Sequence, residues 1–197
     1  MALAATMALS FGAAGIFDDF AIVNTSSVTY YDLGTSTANP DFQGASLGTF
    51  FTSDNLQLGG QTKTFKNNGT DVTGAAIFYR IWSGSESGSF SNLNYAFQID
   101  NVNGNGGDQQ WGTDVAGSNG TAFYTPNLLI GLPNGNYTLE VYTRITTNGI
   151  NAATEIFSNN GGSNFEATFT VIPEPTTWAL LTAGLTTMVV FRRRRVG

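Results

Sequence analysis

Asn136-Tyr137-Thr138-Leu139-Glu140-Val141-Tyr142-Thr143-Arg144-Ile145 is the stretch whose reading decides the fold class. Tyr137, Leu139, Val141, Thr143 and Ile145 fall at one parity, and Thr138, Glu140, Tyr142 and Arg144 at the other. Side chains of a strand alternate between its two faces, so this pattern buries one face and turns the other to solvent. Gly131-Leu132-Pro133-Asn134-Gly135 precedes it and has the composition of a turn. On this reading Glu140 and Arg144 are both solvent-side charges.

The same pattern recurs outward from there. Ala75 to Trp82 carries apolar residues at both parities, as the central strand of a sandwich does. Leu93 to Ile99 reads as one strand with Leu93, Tyr95, Phe97 and Ile99 on a shared face, and Phe165 to Val171 as a last strand with Phe165, Ala167, Phe169 and Val171 inward. Shorter extended runs are expected at Phe20 to Val23, Val28 to Tyr31, Leu47 to Phe51 and Leu56 to Leu58, the last closed by Gly59-Gly60. Thr62 to Phe65 runs into Asn67-Asn68-Gly69, a hairpin-like turn signal. The chain combines 24 glycines with 15 Phe and 7 Tyr, a mixture of turn formers and strand formers. The expected body is one all-β domain, residues 16–171, built as a β-sandwich of immunoglobulin-like or jelly-roll-like type. The phrase from Leu132 to Tyr142 resembles the penultimate strand of many extracellular immunoglobulin-like modules.

Composition narrows the chemistry. The chain has no Cys and no His, which removes Cys and His metal ligands, Ser-His-Asp triads and thiol catalysis. Without residues 176–197, four basic side chains face fourteen acidic ones, a formal −10. Such a surface repels nucleic acid, so no nucleic-acid partner is expected.

Two constellations in the body are candidate sites. The loop from Asp100 to Asp108 supplies carboxylate and amide oxygens among glycines, the ligands hard cations prefer. It departs from the EF-hand pattern: Asn101, Asn103 and Asn105 stand at odd positions, but Gly112 occupies the twelfth place where a glutamate belongs. It reads as a plain Asn/Gly turn or as a calcium site with Asp100, Asp108 and Asp114 as ligands, calcium being the only cofactor considered. Trp82 and Trp111 are candidates for a carbohydrate platform, since an indole face matches the CH face of a sugar; ordinary packing is the competing assignment. Glu86, Glu140, Glu155 and Glu166 are the carboxylates a glycosidase would draw on, and sequence pairs none of them.

The end of the chain has its own order. Ile172-Pro173-Glu174-Pro175 is followed by an apolar segment, Thr176 to Phe191, and by Arg192, Arg193, Arg194 and Arg195, half of the chain's eight basic residues. As a helix the sixteen residues from 176 to 191 span roughly 24 Å, short of the ~30 Å hydrocarbon layer. Trp178 at one interface and snorkelling arginine stems at the other permit a short transmembrane helix. The tail resembles the PEP-CTERM sorting signal of Gram-negative bacteria: Pro173-Glu174-Pro175, a hydrophobic helix and a terminal arginine cluster, here residues 172–197. The resemblance implies recognition and cleavage by an inner-membrane exosortase, transient residence in that membrane, and delivery to the cell surface or an extracellular polysaccharide matrix. Residues 1–15 are small and apolar, like an export segment, but lack a basic n-region. Cleavage is expected between Ser10 and Gly15. The resulting expectation is an exported, non-enzymatic surface or matrix protein; a carbohydrate-binding module, calcium-assisted or not, is the alternative.

Overall fold

The computed structural model describes residues 13–34, 37–104, 106–114 and 122–174. Eleven strands follow one another among these residues: β1 (Ala14–Asn24), β2 (Val28–Asp32), β3 (Ala45–Phe51), β4 (Gln57–Lys66), β5 (Val72–Trp82), β6 (Ser91–Asn94), β7 (Ala96–Asp100), β8 (Asp108–Gly112), β9 (Gly135–Thr147), β10 (Glu155–Ser158) and β11 (Phe165–Ile172). They form two sheets, in the orders β2-β1-β4-β8-β7 and β3-β11-β9-β5-β6, with β10 also paired to β9. The pairings are antiparallel except for β3 with β11, which run parallel. Ala21, Val23 and Leu58 of the first sheet share one hydrophobic cluster with Ile77, Leu139, Val141 and Phe169 of the second. The architecture is therefore all-β and sandwich-like.

β9 sits at the centre of its sheet. β5 lines one edge from Thr138 to Thr147, while β11 takes the other edge from Gly135 to Val141 and β10 takes it from Thr143 to Thr146. Leu139, Val141, Thr143 and Ile145 point into the core and have no exposed surface. The inward parity of β11 is also as expected, with Phe165, Ala167, Phe169 and Val171 buried. Burying this apolar face is the main drive for sheet-on-sheet packing.

Several local expectations are corrected. Gly59-Gly60 does not close a strand, because β4 runs through both residues from Gln57 to Lys66. The glycines are needed for side-chain clearance: a Cβ on Gly60 would strike the Tyr95 hydroxyl, and one on Gly59 would strike the Thr113 hydroxyl and the Tyr124 ring. Leu93 to Ile99 is not one strand either. The chain leaves the second sheet at the end of β6 and enters the first as β7, with Tyr95 buried at the crossing and its N–H donated to the Ala75 carbonyl. The turn Asn67-Asn68-Gly69 does form, with Asn68 and Gly69 at φ 53° and 82°. It carries the chain from β4 in one sheet to β5 in the other, so it makes no hairpin. β1 begins at Ala14, two residues before the expected domain boundary, and pairs Ala14 with Lys66 and Gly15 with Phe65. Residues 1–12 of the expected export segment 1–15, and residues 175–197 with the apolar helix and arginine cluster, lie outside the described residues, while Ala14 and Gly15 of that segment belong to β1. Among the described residues no helix is long and apolar enough to cross a membrane.

Candidate functional site

The parallel pairing of β11 with β3 builds the place where the Pro-Glu-Pro motif leaves the domain. The ladder pairs Val171 with Phe50 and Ile172 with Phe51, then meets Pro173, which has no N–H to donate. Beyond it the Glu174 side chain turns back onto the β3–β4 turn. Its Oε1 accepts the Ser53 N–H at 2.8 Å and the Thr52 hydroxyl at 3.3 Å. The turn is itself braced, since Asp54 Oδ2 accepts the Phe51 N–H at 2.7 Å and the Asp54 N–H returns to the Phe51 carbonyl at 3.0 Å. The hydrogen bonds from Ser53 and Thr52 hold the Glu174 carboxyl below its ordinary range. Of the expected sorting residues, Pro173 and Glu174 are thus placed, while Pro175 and Arg192 to Arg195 lie outside the described residues.

The three aspartates considered for calcium are not gathered at one point. Asp108 opens β8, beside Asp100 at the end of β7, whereas Asp114 follows the far end of β8. Six residues at about 3.3 Å each separate Asp108 from Asp114, roughly 20 Å if extended. Asp100 Oδ1 accepts from Gln109 Nε2 at 3.2 Å and lies 4.0 Å from Lys66 Nζ. Asp114 instead ties three strands of the first sheet together: its Oδ2 accepts the Tyr30 hydroxyl at 2.6 Å and Gln61 Nε2 at 2.7 Å, and its Oδ1 accepts from Gln98 Nε2. Asn101 has a left-handed backbone, φ 61°, and Val102–Gly104 form a short 3-10 turn; Asn105 lies outside the described residues. Among the described residues no group of three or more acidic side chains is arranged to hold a metal.

The two tryptophans are divided between the sheets, so they make no common platform. Trp111, on β8, is buried at 9% exposure and packs edge-on against Phe97 at 5.2 Å. Among the described residues its indole N–H has no acceptor. Trp82, on β5, is half-buried on the outer face of the second sheet and donates Nε1–H to Glu140 Oε2 at 3.2 Å.

Glu140 corrects the expectation of a solvated charge, being only 2% exposed. It lies directly opposite Arg80 in the β5–β9 register, and Arg80 reaches both carboxylate oxygens, Nε to Oε2 at 2.7 Å and Nη2 to Oε1 at 2.9 Å. Asn164 Nδ2 adds a donor to Oε1 at 2.6 Å. Burial alone would push the Glu140 carboxyl up, but Arg80, Asn164 and Trp82 together hold it below its ordinary value. Arg80 also binds Glu86 and lies 4.4 Å over the Phe90 ring. Arg144 pairs with Glu155 at 2.8 Å, not with Glu140, and covers Phe78 at 4.7 Å. Phe78 and Tyr142 stack at 4.8 Å between these two arginines. The whole arrangement is an ionic and aromatic lattice, in which Glu86, Glu140 and Glu155 each have an arginine.

Asp19 is a buried carboxylate of a different kind. Asp19 of β1 points between the sheets with no exposed surface, and among the described residues neither oxygen has a hydrogen-bond partner. Burial pushes its pKa up to about 8; the hydroxyls of Ser158, Thr143 and Thr62 are near enough to soften that effect without completing hydrogen bonds. Its burial was legible in part, since Asp19 shares parity with the core residues Ala21 and Val23. The Glu174 contact and the Glu140 lattice carried no such signal, because their partners are remote in sequence.

No protein-family model and no curated protein matches this chain.

Proposed function

We propose that the chain is an exported, non-enzymatic surface or extracellular-matrix protein whose sandwich domain, of immunoglobulin-like or jelly-roll-like type, is the cargo. Its C-terminal tail acts as a PEP-CTERM sorting signal, held transiently in the inner membrane by the apolar helix and cleaved there by an exosortase-type enzyme. The observation that carries this reading is order: the last strand ends at Ile172, and Pro173-Glu174-Pro175, an uncharged apolar segment and four arginines follow without a linker. The pairing of Glu86 and Glu140 with one arginine supports a non-enzymatic reading of the body. Glu86 and Glu140 share Arg80, whereas glycoside hydrolysis needs two carboxylates facing a substrate across a cleft.

The test is intact mass and cell fraction of the protein in its own host, with and without Pro173→Ala, Glu174→Gln and Pro175→Ala. Loss of the tail and appearance outside the inner membrane, both abolished by the substitutions, is the expected result. Full-length protein retained in the membrane whatever the motif overturns it. A sugar-binding role is the second reading, and the half-buried Trp82 confines it to the outer face of the second sheet. Quenching of tryptophan fluorescence by an extracellular polysaccharide, lost in Trp82→Phe, would favour it.

A further inference from the structure

We propose that the contact of Glu174 with Thr52 and Ser53 is a latch that holds the acidic residue of the Pro-Glu-Pro motif against its own domain, and that it must open before a processing enzyme can engage the motif. The proposal rests on the sorting reading above and adds a regulatory step to it.

The chain geometry builds the latch from two features. β11 runs parallel to β3 as far as Ile172 opposite Phe51, so the chain delivers residues 173 and 174 beside residues 52 and 53. A normal parallel ladder would continue there through backbone N–H groups, but Pro173 has none to give. The ladder ends at Ile172 opposite Phe51, and beyond it the Ser53 N–H donates to the Glu174 carboxylate at 2.8 Å. Thr52 adds its hydroxyl to the same oxygen, Oε1. Asp54 holds the turn in the shape that aims these donors outward. The site thus recognises one carboxylate at one distance from the end of β11.

Recognition by a second protein needs the same group. The only carboxylate in the Pro173-Glu174-Pro175 motif is the one the domain occupies. An enzyme that reads it has to displace Ser53 and Thr52, so the docked form is withheld from processing. The contact lies at the surface, where charge-assisted hydrogen bonds compete with water. The latch therefore sets the rate of tail removal without blocking it.

Two measurements on the full chain test this. In the native host, pulse-labelled protein is followed by mass for tail removal, comparing wild type with Thr52→Val and Ser53→Pro. Loss of one or both donors is expected to speed removal about two- to fivefold, the scale of an exposed charge-assisted contact. In detergent-solubilised full-length protein, the Ser53 amide resonance is followed against pH. It is expected to report the Glu174 titration in wild type and to lose that dependence in Glu174→Gln. An amide insensitive to Glu174 overturns the latch itself. A latch seen by resonance, with Thr52→Val and Ser53→Pro processed at the wild-type rate or slower, overturns its regulatory role and leaves the sorting reading intact. Wild-type protein that never loses its tail overturns the sorting reading and this proposal together, while the resonance result still stands as a property of the fold.

Discussion

Arg80 stands directly opposite Glu140 across the β5–β9 ladder and holds both oxygens of a carboxylate that is 2% exposed. A buried ion pair is a weak source of net stability, but breaking one partner leaves an uncompensated charge. Arg80→Ala is therefore expected to destabilise the domain by about 3–5 kcal/mol, measured by urea denaturation. Replacing both, as Arg80→Met with Glu140→Leu, is expected to cost much less. Equal losses in the single and double variants would show that Glu140 is not held by Arg80.

Asp19 predicts an unusual pH dependence. Its pKa is raised from 3.8 to about 8 in the fold, so between those values the folded chain keeps a proton that the unfolded chain has released. Stability from this group then falls as pH rises through that window, by about 1.4 kcal/mol per pH unit, and levels off above it. The neighbouring Tyr95 hydroxyl is raised too, by burial and then by Asp19, so it stays protonated across the window. Thermal unfolding at pH 5.5 and pH 9 should show a lower midpoint at pH 9, and Asp19→Asn should flatten the difference. An unchanged difference in that variant would place the pH sensitivity elsewhere.

Trp111 separates packing from polarity. Its ring fills the core beside Phe97 while its N–H finds no acceptor among the described residues. Trp111→Phe loses some buried area but also removes an unsatisfied donor, so a change of no more than about 1 kcal/mol is expected. Trp111→Ala should cost about 3–5 kcal/mol. Comparable losses from the two substitutions would mean that the indole N–H is bonded.

Gly60 is held small by its neighbour. Gly60→Ala drives a methyl into the Tyr95 hydroxyl at the point where the chain crosses between sheets. A loss of about 1–3 kcal/mol is expected from this overpacking. Adding Tyr95→Phe, which removes the hydroxyl, should restore part of it. A Gly60→Ala variant as stable as wild type would show that Tyr95 moves aside freely.

The sequence by itself determined the fold class, the long central strand and the last strand, because period-two burial is a local property of each segment. Leu139, Val141 and Ile145, and equally Phe165, Ala167 and Phe169, have their burial written in their own spacing. It also determined the order of motif, apolar segment and arginines in the tail. Tertiary structure alone decided which polar groups met. Arg80 and Glu140 are 60 residues apart and Ser53 and Glu174 are 121 apart, so both contacts exist only once strand order and register are set. The same holds for the break at Tyr95: an unbroken alternation from Leu93 to Ile99 is compatible with one strand, and only packing of two sheets makes the chain change sheets there. Alternation tells a side chain whether it faces in or out. It does not tell a charge who is waiting on the neighbouring strand, which is why Glu140 reads as solvated and is found buried against Arg80.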